Sequence, residues 1–195
     1  MLRPRLLLDV MSTAPRYQPQ YRVADYRHWE GRWELLGGAA IAMSPSPTGR
    51  HAELLGRFVM ALGNAIDAAA CNATVLVEID WIVADDTVLR PDLTLVCGPA
   101  PEGHVEQRPA LIVEVLSAAT RERDLVVKRA IYEQERVPWY VIADPEEQTV
   151  HALTLGPDGK YAGETFGRAS GDVRLALCHE CLLTVDPARL FPAGR

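Results

Sequence analysis

The chain has no apolar run approaching the roughly 20 residues a membrane span needs. The N-terminal LLLDVM is too short and too interrupted for the apolar segment of a signal peptide. Cysteine is scarce, with four: Cys71, Cys97, Cys178 and Cys181. Their wide, uneven spread does not read as a disulfide framework, so the expected setting is a reducing cytoplasm. Positive charge is not in excess either. Twenty Lys and Arg face 26 Asp and Glu, for a formal net charge of −6. That argues against coating DNA through bulk charge, but it leaves room for local basic patches and for an acidic, metal-dependent site. There is no internal repeat and no low-complexity tract.

What is present fits a globular protein. The 195 residues, 48% hydrophobic and 24% charged, suit a single domain over 21–195 behind a loose N-terminal extension over 1–20. A short helix fits 23–32. WELLGGAAIAM (33–43) reads as a strand pair broken at Gly37-Gly38, and 44–49 reads as a loop in which Thr48 can cap the next helix. Over 50–70, Leu54, Leu55, Phe58, Val59, Leu62 and Ile66 recur at helical spacing. Residues 73–83 and 88–97 read as two strands joined by a turn. ALIVEVLS (110–117) and VPWYVIAD (137–144) have the profile of strands buried on both faces, with a helix over 121–135 between them. TVHALTL and KYAGETF flank Gly156-Pro157-Asp158-Gly159 as a hairpin. The end reads as a short strand and a helical turn. This order predicts an α/β fold with a central mixed β-sheet flanked by helices.

Within the apolar run 110–117 stands Glu114. A buried, unpaired carboxylate costs several kcal/mol, so it calls for a partner. Asp92, after Pro91, opens the preceding strand. If the two strands are neighbours, both carboxylates share one end of the sheet, and a divalent cation relieves their repulsion. Oxygen donors suit Mg²⁺ or Mn²⁺, which activate water and polarise phosphoryl oxygens. Asp124, Lys128 and Tyr132 follow at i, i+4, i+8, one stripe on the next helix. Lys128 is the candidate to position water or neutralise transition-state charge.

These pieces resemble the PD-(D/E)XK nuclease superfamily, and more closely its Uma-type family of restriction-endonuclease-like proteins. The resemblance rests on WELLGGAAIAMSPSPTGRH (33–51), RPDLTLV (90–96) and PALIVEVLSAATRERDLVVKRAIYEQERVPWYVIADPEEQTVHAL (109–153), and it covers about residues 20–190. It implies a restriction-endonuclease-like core and a metal-dependent endonuclease that hydrolyses phosphodiester bonds in DNA. Asp92 and Glu114 would be the metal carboxylates. The superfamily places its lysine two residues after the acid, where this chain has Leu116. In the family it resembles, a lysine on the next helix substitutes, and Lys128 matches it. Glu34 and His51 match further characteristic positions. The sequence leaves open which of Glu34, His51 and Glu53 completes the metal site. A nuclease acting on duplex DNA suggests a homodimer, with the apolar C-terminal strands as its interface.

Each feature also has a plainer reading. Asp92 can be a turn residue. Asp124 and Lys128 can be a surface ion pair contributing about 0.3–0.5 kcal/mol. Tyr132 can be core packing. Arg121, Arg123, Arg129 and Arg136, with Arg50 and Arg57 on another helix, can contact phosphates or simply face solvent among Glu122, Glu133 and Glu135. Cys178-His179-Glu180-Cys181 lacks the second close pair that a structural zinc site uses. Two other functions stand beside the nuclease: a catalytically inactive nuclease fold that binds nucleic acid or protein, suggested by the net charge and by Leu116, and a zinc module using the cysteines.

Overall fold

A computed structural model describes residues 19–43 and 48–191. The extension read over 1–20 lies outside the described residues except for its last two, and so do residues 44–47 of the loop read over 44–49. After a one-turn helix α1 (Val23–Tyr26), a hairpin of β1 (Trp33–Leu36) and β2 (Ala39–Ala42) turns at Gly37-Gly38, both at positive φ. The long helix α2 (Gly49–Ala68) is capped by Thr48, whose hydroxyl accepts from the His51 amide at 3.3 Å. Its buried stripe is Leu54, Phe58, Leu62 and Ile66. Each such side chain contributes about 1.5–3 kcal/mol when fully buried.

The two long strands expected at 73–83 and 88–97 are each broken in two. The first becomes β3 (Ala73–Val77) and β4 (Trp81–Ala84), the second β5 (Thr87–Leu89) and β6 (Leu93–Cys97). One break falls at Glu78, held at φ 47°; the other falls at Arg90-Pro91-Asp92, where proline has no amide to give the ladder. Each broken strand therefore crosses from one sheet to another. A four-stranded antiparallel sheet has the order β2-β1-β5-β4. A six-stranded mixed sheet runs β10 (Tyr161–Gly167), β9 (Thr149–Leu155), β8 (Trp139–Asp144), β7 (Leu111–Val115), β6, β3. Within it only β7 and β8 are parallel. The expected central mixed sheet with helices is thus present.

Between β7 and β8 the expected helix is only partly α-helical. Arg123–Lys128 form a π-helix, and α3 (Arg129–Gln134) continues from it. The Tyr140 hydroxyl, buried beneath, donates to the Asp124 carbonyl at 2.9 Å. A side chain that claims a helical carbonyl favours this wider turn.

One face of the six-stranded sheet packs on α2 and on a C-terminal hairpin, β11 (Val173–Leu177) and β12 (Cys181–Val185), followed by α4 (Pro187–Leu190). Strand β11 had no counterpart in the sequence reading. Most apolar residues of the hairpin face inward on this core rather than outward as an interface: Val173, Leu175, Leu177 and Leu183 are buried, while Leu182 is exposed.

The cysteine reading is corrected. Cys71 pairs with Cys181 and Cys97 with Cys178, each with Cα atoms 5.5 Å apart. The partners are 110 and 81 residues apart in sequence, so spacing hid them. The β3–β6 ladder pairs Ala73 with Cys97, which brings Cys71 and Cys97 to one edge under the β11–β12 turn. With both CxxC sulfurs in disulfides, the zinc reading loses its thiolates, and the cysteines give no support to a reducing compartment.

Candidate active site

The site forms where the broken strands pass between the sheets. One residue beyond the Leu93–Val113 pair of the β6–β7 ladder, Asp92 lies opposite Glu114. The Asp92 amide points at Glu114 Oε2, 3.4 Å away, and Asp92 Oδ2 accepts from the Val115 amide at 2.7 Å. The two acids therefore meet at the end of the sheet, on the face that carries Ile112 and Tyr140.

Lys128 reaches this point from the π-helix. Its Nζ lies 2.9 Å from Glu114 Oε1, 3.0 Å from Glu34 Oε1 and 3.6 Å from Asp124 Oδ1. The i, i+4 spacing of Asp124 and Lys128 keeps both side chains on one face of the π-helix. All four groups are at most 3% exposed. Tyr132, from α3, donates its hydroxyl to Glu114 Oε1 at 2.6 Å. Glu34, from the small sheet, also accepts the Arg90 amide at 3.0 Å. One ammonium thus joins a strand of each sheet to the helix. This is no exposed surface pair: breaking a buried pair of this kind costs about 3–5 kcal/mol.

Burial dominates the protonation of the cluster. It pushes the Glu114 carboxyl well above its usual range, against the pull of Lys128, and pushes Asp124 up as well. Burial alone would lower Lys128, but Glu114, Glu34 and Asp124 outweigh it and hold the amine cationic. Burial also raises the Tyr132 phenol, keeping it a donor. His51, in the first turn of α2, contacts Asp92 Oδ2 through Nε2 at 3.2 Å, and this bond raises its pKa.

All seven nominated residues therefore converge: Asp92, Glu114, Lys128, Glu34, His51, Asp124 and Tyr132. Glu53 does not. It forms an ion pair with Arg57 on the exposed side of α2, 2.8 Å away. Beside the cluster opens a cavity of about 250 Å³. Sequence reasoning passed over several of its walls, including Arg32, Glu78, Arg90 and the Ser117–Thr120 turn. Arg32 is paired with Glu78, and Arg90 with the buried Asp80 at 2.6 Å. A signal for these arginines existed. Arg32 and Arg90 each stand two residues before a nominated acid, and Arg123 stands one before.

Two likenesses place the chain among known proteins. A solved structure described as a putative nuclease belonging to DUF820, from Anabaena variabilis, superposes with a TM-score of 0.63 at 19% identity, covering 82% of this chain and 89% of that one. At that identity the likeness speaks for the fold. No curated protein matches. The model of the family described as Uma2, putative restriction endonuclease, matches residues 20–185. With its fold shared and most of its length matched, the chain belongs to the Uma2 family of putative restriction endonucleases.

Proposed function

We propose that the protein is a divalent-metal-dependent endonuclease that hydrolyses phosphodiester bonds in DNA. The observation that carries this reading is the Lys128 Nζ–Glu114 Oε1 contact of 2.9 Å. The lysine that Leu116 fails to supply from the strand is delivered by the helix.

The donor set suits a hard cation. Asp92 Oδ2 is held by Val115 and His51, while the other carboxylate oxygen has no hydrogen-bond partner among the described residues and belongs to a half-buried side chain on the cavity wall. Glu114 Oε2 has only the long contact to the Asp92 amide. Among the described residues no three His, Cys, Asp or Glu side chains form a cage. Asp92 and Glu114 would therefore be the two side chains that hold the ion, and their oxygen donors suit Mg²⁺ or Mn²⁺. A bound Mg²⁺ or Mn²⁺ supplies Lewis-acid polarisation of the phosphoryl oxygen and a lowered pKa for water.

The chain's own residues set the geometry. His51 and the Val115 amide fix Asp92. Tyr132 and Lys128 fix Glu114. Lys128, held cationic, is no proton acceptor; it orients the attacking water and offsets negative charge that builds on the phosphate. Glu34 and Asp124 keep the ammonium at that point.

The enclosure of Lys128 by three carboxylates favours one second reading, a non-catalytic nuclease fold used for binding. Incubation of purified protein with supercoiled plasmid and single-stranded circular DNA separates the two. Cleavage is expected with Mg²⁺ or Mn²⁺, none with EDTA, and at least ~100-fold less in Glu114→Gln and Lys128→Ala. Equal activity in the variants would overturn the assignment. Cutting both strands of a duplex at one place further predicts a homodimer, which sedimentation in the presence of DNA would reveal.

A further inference from the structure

We propose that Arg123 is the group that grips the substrate phosphate in this cavity. Four cationic side chains line it: Arg32, Arg90, Arg123 and Lys128. Three are already engaged. Arg32 bonds Glu78, Arg90 bonds Asp80 and the Tyr26 hydroxyl, and Lys128 is enclosed by its carboxylates. The Arg123 side chain donates no hydrogen bond to any described residue, and its buried Nε has no hydrogen-bond partner among them. It forms an ion pair with Glu34 Oε2 at 3.6 Å, longer than a hydrogen bond, and that oxygen has no hydrogen-bond partner among the described residues. A buried donor without a partner is costly, and a guanidinium has five donors in a rigid fork that matches phosphate oxygens two at a time. The side chain is 19% exposed, enough to present that fork to a ligand.

Its neighbours in sequence point away from this role. Arg121 is bound to Asp144 at 2.8 Å, and Arg129 to Glu133 and to the Tyr161 carbonyl. Of the arginines in the 121–136 stretch, Arg123 is the one on the cavity wall. It stands one residue before Asp124 and five before Lys128, so the same π-helix presents two cations to the cavity. In a pocket lined by Glu78, Asp92, Glu114 and Asp124, a polyanionic substrate needs such a partner. Lys128 would offset charge at the reacting phosphoryl group, and Arg123 would hold the scissile or adjacent phosphate by two parallel hydrogen bonds.

This inference rests on the nuclease reading, and two measurements keep the two apart. The first is cleavage of a fluorescein-labelled oligonucleotide by the intact protein and by Arg123→Gln and Arg123→Lys. The second is the salt dependence of oligonucleotide binding, with all proteins carrying Glu114→Gln to block turnover. Arg123→Gln is expected to lower kcat/KM by roughly 10²–10³-fold and to reduce the slope of log Kd against log salt by about one. Arg123→Lys is expected to recover the slope but only part of the rate, because an ammonium lacks the fork. A purely structural arginine would change thermal stability and leave the slope alone. Unchanged slope and rate in Arg123→Gln would overturn the inference, and so would absence of binding. If the intact protein binds with an Arg123-dependent slope yet never cleaves, the phosphate site stands and the nuclease reading falls.

Discussion

The six-stranded sheet has two faces built from the same strands, and they differ in what they bury. In β7, Leu111, Val113 and Val115 face α2 and the C-terminal hairpin, while Ile112 and Glu114 face the π-helix and α3. The first face is closed by aliphatic packing and bordered by two disulfides. The second mixes apolar and tyrosine packing with the Glu114–Lys128–Glu34–Asp124 cluster. The difference teaches a division of labour. Non-directional burial gives stability on one side. On the other, a charged cluster is poised at a small cavity, where stability depends on every partner being present.

The sharpest test of that contrast is Lys128→Met. It leaves three buried carboxylates without the ammonium they share. An activity loss of at least ~100-fold is expected, together with destabilisation of about 3–5 kcal/mol in urea titrations at neutral pH. A variant as stable as the parent would mean the cation does not hold this face together. Leu62→Ala probes the opposite face. The side chain is 1% exposed, and its truncation should cost about 2–5 kcal/mol. Cleavage at temperatures where the variant stays folded should be unchanged; a fall in kcat would show that the faces are coupled.

A smaller effect is expected at the border of the apolar face. Replacing Cys71 and Cys181 together by serine should cost about 2–4 kcal/mol, read by thermal unfolding, with activity retained. A loss at least as large on adding dithiothreitol to the parent chain, where both disulfides are reduced, absent from a variant lacking all four cysteines, would tie it to the bonds themselves.

The smallest effect concerns Asp144, on the polar face. It accepts from Arg121 at 2.8 Å and from the Glu146 and Glu147 amides at 2.9 and 3.1 Å. Burial pushes its carboxyl up, but these bonds outweigh it and leave the pKa below the ordinary value. A depressed carboxylate contributes stability that is whole above its unfolded pKa of about 3.9 and is lost as pH falls through the folded value. Asp144→Asn should therefore cost about 1 kcal/mol at pH 7, with the gap to the parent closing below about pH 4. A gap constant with pH would assign the effect to shape rather than charge.

Much of this was legible in the sequence because it depends on local pattern. Thr48 and the stripe from Leu54 to Ile66 define α2, and the apolar run around Glu114 marks a strand buried on both faces. Glu114 was legible because a carboxylate in such a run demands a partner. The breaks at Glu78 and Arg90–Asp92 were not. β-branched runs look continuous, and only the second sheet gives the chain a reason to cross. Strand β11, VRLAL, was overlooked although it alternates plainly. The disulfides were hidden because each joins segments that only the fold brings together.

The sequence by itself determined which groups are available: Glu114 in a strand, Asp92 beside proline, and Lys128, one of only two lysines in the chain. Their chemistry and spacing are covalent facts. Tertiary structure alone decided the partnerships. Glu34 of β1, in the small sheet, meets Lys128 of the π-helix at 3.0 Å although the two are far apart in sequence. Among the described residues the Arg123 side chain is left without a hydrogen bond while Arg121 and Arg129 are taken, because only packing decides which charges come within 3 Å. Hydrogen bonds and desolvation act over that distance, and sequence separation says little about it.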